Sequence, residues 1–259
     1  MNVYDNIHEA YLGTLREVYY NYEVKSAPRG LPVRERLDHT FRILFPTDEA
    51  ICTKDVARNE VIRSYTAKEV ELYNSGTNSA EDFGKASKFW LSLANPDGSV
   101  NSAYGHLIWN KRSHGNSRYE ATLAGDLDGA KHVNKWEYMR TPWMWAKQCL
   151  IEDKDTRQAI LRFSLPEHAY KGVRDFTCTM HGNFLIRDDK LLFSVVMRSN
   201  DLVLGLVYDL PWFTGLMDKM VEELKPYYPN LTKGHYTHTV HSLHIYERDE
   251  EKVKKMLGL

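Results

Sequence analysis

"CTMHGNFLIRDDKLLFSVVMRSNDLVLGLVYD", residues 178–209, decides the fold. Two runs rich in Phe, Leu, Ile and Val flank the turn signal "RDDK" at 187–190, which predicts a β-hairpin. The next segment, "DLPWFTGLMDKMVEELK" (209–225), puts Phe213, Leu216, Met217, Met220, Val221 and Leu224 on one helical face, with Pro211 near its start. A hairpin feeding an amphipathic helix, without strict alternation of apolar and polar residues, predicts an α+β fold with a sheet as its main layer. The hairpin opens on Cys178, just after "RDFT". Local composition does not decide whether this thiol is a small core hydrophobe or a nucleophile.

Working outward, "NIHEAYLGTLREVYYNYE" (6–23) has helical spacing of apolar and aromatic residues, and "TAKEVELYNSG" (66–76) reads as a helix ending at Gly76. "SAPRGLPVRER" (26–36) reads as a Pro/Gly loop carrying three arginines, and "NPDGSVNSAYGHLIW" (95–109) as a turn-rich loop entering apolar sequence. Residues 111–135 are polar and Gly-rich and read as a surface excursion. "HYTHTVHSLHIYE" (235–247) is rich in β-formers and reads as a strand.

The 259 residues are 42% hydrophobic and 27% charged, enough to bury a proper core. With 34 basic against 35 acidic residues, the net charge of −1 gives no general attraction to nucleic acid or anionic membrane. Any phosphate recognition therefore falls to a few placed arginines. Three cysteines without paired spacing argue against a disulfide framework and for a reducing cytoplasm. No apolar stretch reaches membrane-spanning length, and "MNVYDNIHEAYLG" lacks the regions of a signal peptide.

His235, His238, His241 and His244 recur every third residue. On a helix they would converge on a metal, but in a strand His238 and His244 face one way and His235 and His241 the other. The strand composition points away from a metal centre.

Followed twenty residues later by Arg-Ser-x-Asp-x-x-Leu-Gly-x-x-aromatic-Asp, Cys178 resembles the nucleophile of the thymidylate synthase superfamily. "KEVELYNSG" resembles that family's glutamate-bearing helix, "SKFWLSLANPDGSVNSAYG" its Trp-to-Tyr-Gly loop, "DKDTRQAIL" its Asp-x-Asp-Ser-Arg-Arg segment, and "HSLHIYE" its His-x-Tyr strand. The motifs run in order over about 220 residues, most weakly at 30–60 and 111–145. "NSAYG", "LIRDDK", "MRSND" and "SLHIY" are nearer the phage deoxycytidylate hydroxymethylase branch than the uracil-methylating one. So are Asp209, where thymidylate synthases carry Asn, and Thr179, where they usually carry His.

The resemblance implies a single catalytic domain over 1–259 with a variable insertion near 111–135, a large mixed sheet with flanking helices, and a homodimer formed through a sheet face. It also implies a chemistry. Cys178 adds to C6 of a pyrimidine nucleoside monophosphate, and C5 takes a one-carbon unit from 5,10-methylenetetrahydrofolate. Arg198 favours the thiolate by lowering the thiol pKa. Arg29, Arg198 and Ser199 hold the phosphate, with Arg157 supplied by the partner subunit; where the family has a second arginine this chain has Gln158, so either phosphate binding is weaker or another basic residue such as Arg162 or Arg174 substitutes. Arg34 and Arg36 lie close to Arg29 in the chain and are the alternatives to it at the phosphate. Glu69 is the implied general acid/base, and Tyr104 assists proton removal from C5. His244 and Tyr246 bind the sugar hydroxyl, Asp201 and Gly205 contact the pterin, and Phe89 and Trp90 wall the folate. Cys52 and Cys149 lie outside every motif and read as core.

Asp209 carries the base choice. An Asn donates to uracil O4 and accepts from N3–H, whereas cytosine presents N4 as donor and N3 as acceptor. A carboxyl group accepts from N4 and shares a proton with N3. A helix N-cap is the alternative role for this residue. The implied product is a 5-hydroxymethyl cytidylate, with methylation or a uridylate substrate as alternatives, or nucleotide binding without catalysis. The short segment after Tyr246, "ERDEEKVKKMLGL", lacks the family's long lid and favours water addition.

Overall fold

The computed structural model describes residues 1–111 and 141–259; most of the polar stretch at 111–135 lies outside the described residues. The "RDDK" signal forms the tight turn between strands β5 (Thr179–Arg187) and β6 (Lys190–Met197). Asp188 and Asp189 both have positive φ, 48° and 53°, the geometry whose twist matches a two-residue hairpin.

Around this hairpin the described strands build one mixed sheet in the order β1-β3-β8-β6-β5-β4, from β1 (Asn2–Tyr4), β3 (Val33–Ile43), β8 (Thr232–Tyr246) and β4 (Ile160–Arg162). Short strands β2 (Val24–Ser26) and β7 (Asn200–Asp201) pair β3 and β8. Neighbours β3/β8 and β5/β6 are antiparallel, while β6 and β8 run parallel. The loop read at 26–36 is shorter than its Pro and Gly suggested, because β3 already begins at Val33 and pairs with Tyr246.

The α-helices among the described residues are α1 (Ile7–Asn21), α2 (Val56–Ser75), α3 (Ala80–Ala86), α4 (Phe89–Leu93), α5 (Pro142–Glu152), α6 (Leu206–Leu224) and α7 (Glu250–Leu257). Asn6 caps α1 by accepting from the His8 and Glu9 amides, and Gly76 ends α2 at φ 71°, a left-handed conformation natural to glycine. Helix α6 buries its apolar face on β6 and β8. Phe184 and Phe193 stack across the hairpin with centroids 4.0 Å apart, and Phe213 of α6 meets Phe193 edge-on. Each such ring, fully buried, contributes about 1.5–3 kcal/mol. This core fixes where α6 begins and the hairpin ends, and those two ends carry the candidate site.

Of the two cysteines read as core, Cys149 is buried, but Cys52 is exposed. Cys52 precedes α2 in irregular chain tied to α1, its amide donating to His8 Nδ1. No helix among the described residues is long and apolar enough to cross a membrane.

Candidate active site

Cys178 immediately precedes β5 and Arg198 immediately follows β6, so the hairpin's open end sets them side by side. The Arg198 amide donates to the Cys178 carbonyl at 2.9 Å. Its guanidinium lies 3.5 Å from the Cys178 thiol, donates to the carbonyls of Phe176 and Thr177, and covers the Phe176 ring. Burial pushes the Cys178 thiol above the ordinary thiol range, and Arg198 opposes that without overcoming it. The lowered pKa expected from an adjacent guanidinium is therefore not met, because desolvation, helped by Asp209 and Asp175, outweighs Arg198, already shared with two carbonyls, and the weaker pull of Arg29.

A second loop is clasped to this one. The buried Asp175 carboxylate accepts from both the amide and the hydroxyl of Ser102, and Asn101 donates to the Asp175 carbonyl. That clasp brings Tyr104 into the electrostatic field of Cys178 and Asp209, with its ring stacked between Tyr73 and Phe213. Burial first, then Asp209 and Cys178, keep the Tyr104 phenol well above its usual range, so it is a neutral hydroxyl at working pH.

Asp209 stands in the first turn of α6, and the N-cap position belongs to Gly205, so the capping role is not the one it fills. A Cβ at Gly205 would meet Asn200 Oδ1 at 2.4 Å and the Asp201 carbonyl at 2.8 Å, which gives the glycine a packing reason of its own. Asp209 is deeply set yet keeps partial exposure, as a group lining a cleft does. Burial pushes its carboxyl up to about 7, against the neighbouring Asn200 amide.

Within its electrostatic reach, Glu69 on α2 is buried, and burial plus the Asp209 charge push its carboxyl up to about 8. Glu71, two residues on, points elsewhere and is exposed. Tyr65 and Tyr73, one turn to either side of Glu69, both address its carboxylate; the Tyr65 hydroxyl donates to Oε1 at 2.9 Å. Neither tyrosine was anticipated, although Tyr-x₃-Glu-x₃-Tyr is a legible one-face helical pattern.

Trp90 is 7% exposed and donates from Nε1 to the Tyr65 hydroxyl at 2.8 Å, while Phe89 is 62% exposed beside it. Tyr65 also meets Tyr208 of α6, centroids 4.5 Å apart. This aromatic wall, with the deeply set Asp201 carboxyl nearby on β7, suits a flat heteroaromatic ring with N–H donors, and so fits a pterin.

His244 and Tyr246 lie on one face of β8 with rings 5.2 Å apart, and His244 stands opposite Asp201 in the β7–β8 register. The other histidines have separate surroundings: His238 is buried between Tyr236 and Asn200, and His241 pairs with Asp38 at the surface. No group of three or more potential metal ligands occurs among the described residues.

The three arginines of the 26–36 segment separate cleanly. Arg34 pairs with Glu250 and Arg36 with Glu17 and Glu23, whereas Arg29 lies within the electrostatic reach of Cys178. Ser199 follows Arg198 and is half-buried. Arg157, Gln158, Arg162 and Arg174 are exposed.

A family model described as Thymidylate synthase matches residues 9–258. The chain is 30% identical over 191 residues to the deoxycytidylate 5-hydroxymethyltransferase of Enterobacteria phage T6, covering 71% of this chain and 67% of that protein. Against the phage T4 protein of the same name it is 30% identical over 193 residues, with the same coverage. In structure it is similar to thermostable thymidylate synthase A from Bacillus subtilis, at a TM-score of 0.65 and 16% identity, covering 97% of this chain and 84% of that one. The chain belongs to the thymidylate synthase family, with the mixed sheet and flanking helices of that fold. That membership makes it a one-carbon transferase.

Proposed function

We propose that the protein transfers a one-carbon unit to C5 of deoxycytidylate and hydrates it to the 5-hydroxymethyl nucleotide. The observation that carries this reading is Asp209. A buried carboxyl, pushed up to about 7, takes the position that the resemblance gives to the carboxamide of the uracil-methylating members, and its charge reaches Glu69. A carboxyl raised this far by burial has access to both its charged and its protonated form near neutral pH, so it accepts from cytosine N4–H and shares a proton with N3. Hydroxymethyl as the product rests on the names of the phage relatives.

In this reading Cys178 loses its proton and adds to C6. Arg198 steadies the thiolate and, with Arg29 and Ser199, the nucleotide phosphate. When bound, 5,10-methylenetetrahydrofolate supplies the carbon at the oxidation level of formaldehyde. The wall of Trp90, Tyr65 and Tyr208 orients its ring system, with the exposed Phe89 at the rim and Asp201 and Gly205 at the pterin. The neutral Tyr104 hydroxyl guides the C5 proton away, and Glu69 moves protons between the base and water. His244 and Tyr246 take the sugar hydroxyl. Arg157, exposed in its own chain, completes the phosphate site of a second copy in a homodimer.

Tritium release from C5-labelled dCMP, CMP and dUMP, each with the folate, tests the substrate. Release fastest from dCMP is expected; faster release from dUMP would refute the role given to Asp209.

A further inference from the structure

Resting on that reading of the site, we infer that Tyr65 is the positioning residue of Glu69, and that Trp90 sets the direction of its hydrogen bond. The directions follow from donor chemistry alone. An indole N–H can only donate, so the 2.8 Å contact makes the Tyr65 oxygen its acceptor. The Tyr65 proton is then turned to Glu69 Oε1, 2.9 Å away. Three elements meet in this chain: Trp90 from α4, Tyr65 and Glu69 from successive turns of α2, and Tyr208 of α6 against the Tyr65 ring.

Two consequences follow for the chemistry. With Oε1 already accepting from Tyr65, a proton carried by Glu69 is kept off the oxygen that Tyr65 holds, while Tyr73 addresses the same carboxyl from the next turn. A fixed donor also favours the carboxylate, opposing the burial and the Asp209 charge that favour the acid. Tyr65 thereby holds Glu69 nearer to neutral than its burial alone would allow. The same hydroxyl sits on the wall assigned to the folate ring, so a ring seated there packs against the group that orients the acid/base. Arg58, which donates to the Tyr208 hydroxyl and the Val203 carbonyl, braces that wall from behind.

The test compares wild type, Tyr65→Phe, Glu69→Gln and the double variant, with thermal melts to show that each is folded. Two measurements are made. One is the pH profile of tritium release from C5-labelled dCMP with the folate. The other is a carboxyl ¹³C NMR titration of the glutamate-labelled protein, with the Glu69 resonance identified by its loss in Glu69→Gln. Tyr65→Phe is expected to raise the Glu69 titration by about one pH unit, the weight of one hydrogen bond to a charged group, and to move the activity profile with it. In the Glu69→Gln background, adding Tyr65→Phe is expected to leave the profile where it was. An unmoved Glu69 resonance, or an equal shift in both backgrounds, overturns the inference. Wild type that releases no tritium from dCMP, CMP or dUMP overturns the proposed function instead, while the titration still decides whether Tyr65 governs Glu69.

Discussion

Arg198 reaches the Cys178 thiol at 3.5 Å with the same guanidinium that holds the Phe176 and Thr177 carbonyls. It is therefore both a brace for the loop bearing the nucleophile and the cation beside its sulfur. Because burial leaves the thiol raised even so, Cys178 rests as a neutral thiol at pH 7. Alkylation by iodoacetamide, read residue by residue by mass spectrometry, is expected to be slower at Cys178 than at the exposed Cys52 near neutrality. Arg198→Met should slow it further, by roughly tenfold, as the nearer of the two cations that favour the thiolate is lost and only Arg29 is left. A Cys178 that reacts faster than Cys52 at pH 7 would contradict this balance.

Asp209→Asn exchanges a group that shares a proton with N3 for one with fixed donor and acceptor ends. The ratio of dCMP to dUMP turnover is expected to fall by about 10- to 100-fold, the usual weight of one bidentate base contact. Equal losses on both nucleotides would mean that Asp209 supports the fold without choosing the base. The same substitution removes the negative charge that reaches Glu69, so the Glu69 titration should drop below about 8.

Burial of Glu69 also makes stability depend on pH. Its folded pKa of about 8 lies above the reference value of 4.5, so the folded protein binds this proton more tightly than the unfolded chain does. The resulting stabilisation is full below about pH 4.5 and is lost as pH rises through 8. Urea denaturation at pH 5 and pH 9 is expected to show wild type losing roughly a few kcal/mol more than Glu69→Gln over that interval. Parallel losses would show that Glu69 is not held as an acid.

An arginine shared between subunits is testable by mixing. Cys178→Ala and Arg157→Ala proteins should each be weak alone. If each site takes Arg157 from the other copy, one site of the mixed dimer keeps both residues. Refolding the two together in equal amounts is then expected to restore about one quarter of wild-type activity. No recovery, with dimers shown by ultracentrifugation, would place Arg157 at its own chain's site or at none.

The hairpin, α6 and the C-terminal strand were legible because their signals are local: turn chemistry at 187–190, a 3.6-residue apolar period, and β-branched composition. The ordered motifs named the residues that the fold then gathers, such as Cys178 beside Arg198 and Asp209 within electrostatic reach of Glu69. What escaped reading was set by tertiary contact. Cys52 looked like core by residue type but lies in exposed chain, and Arg29 could be told from Arg34 and Arg36 only once acidic partners claimed the other two. The Asp175–Ser102 clasp joins residues 73 positions apart, beyond any periodicity. The balance of burial against charge at Cys178 was equally hidden, because desolvation depends on everything packed around the sulfur.

The most direct measurement is the mass of the product formed from dCMP and 5,10-methylenetetrahydrofolate. A nucleotide heavier than dCMP by one CH₂O, formed at a rate abolished by Cys178→Ala, is the expected result. A product heavier by CH₂ alone, or turnover of dUMP with dCMP left intact, would contradict hydroxymethylation of cytidylate.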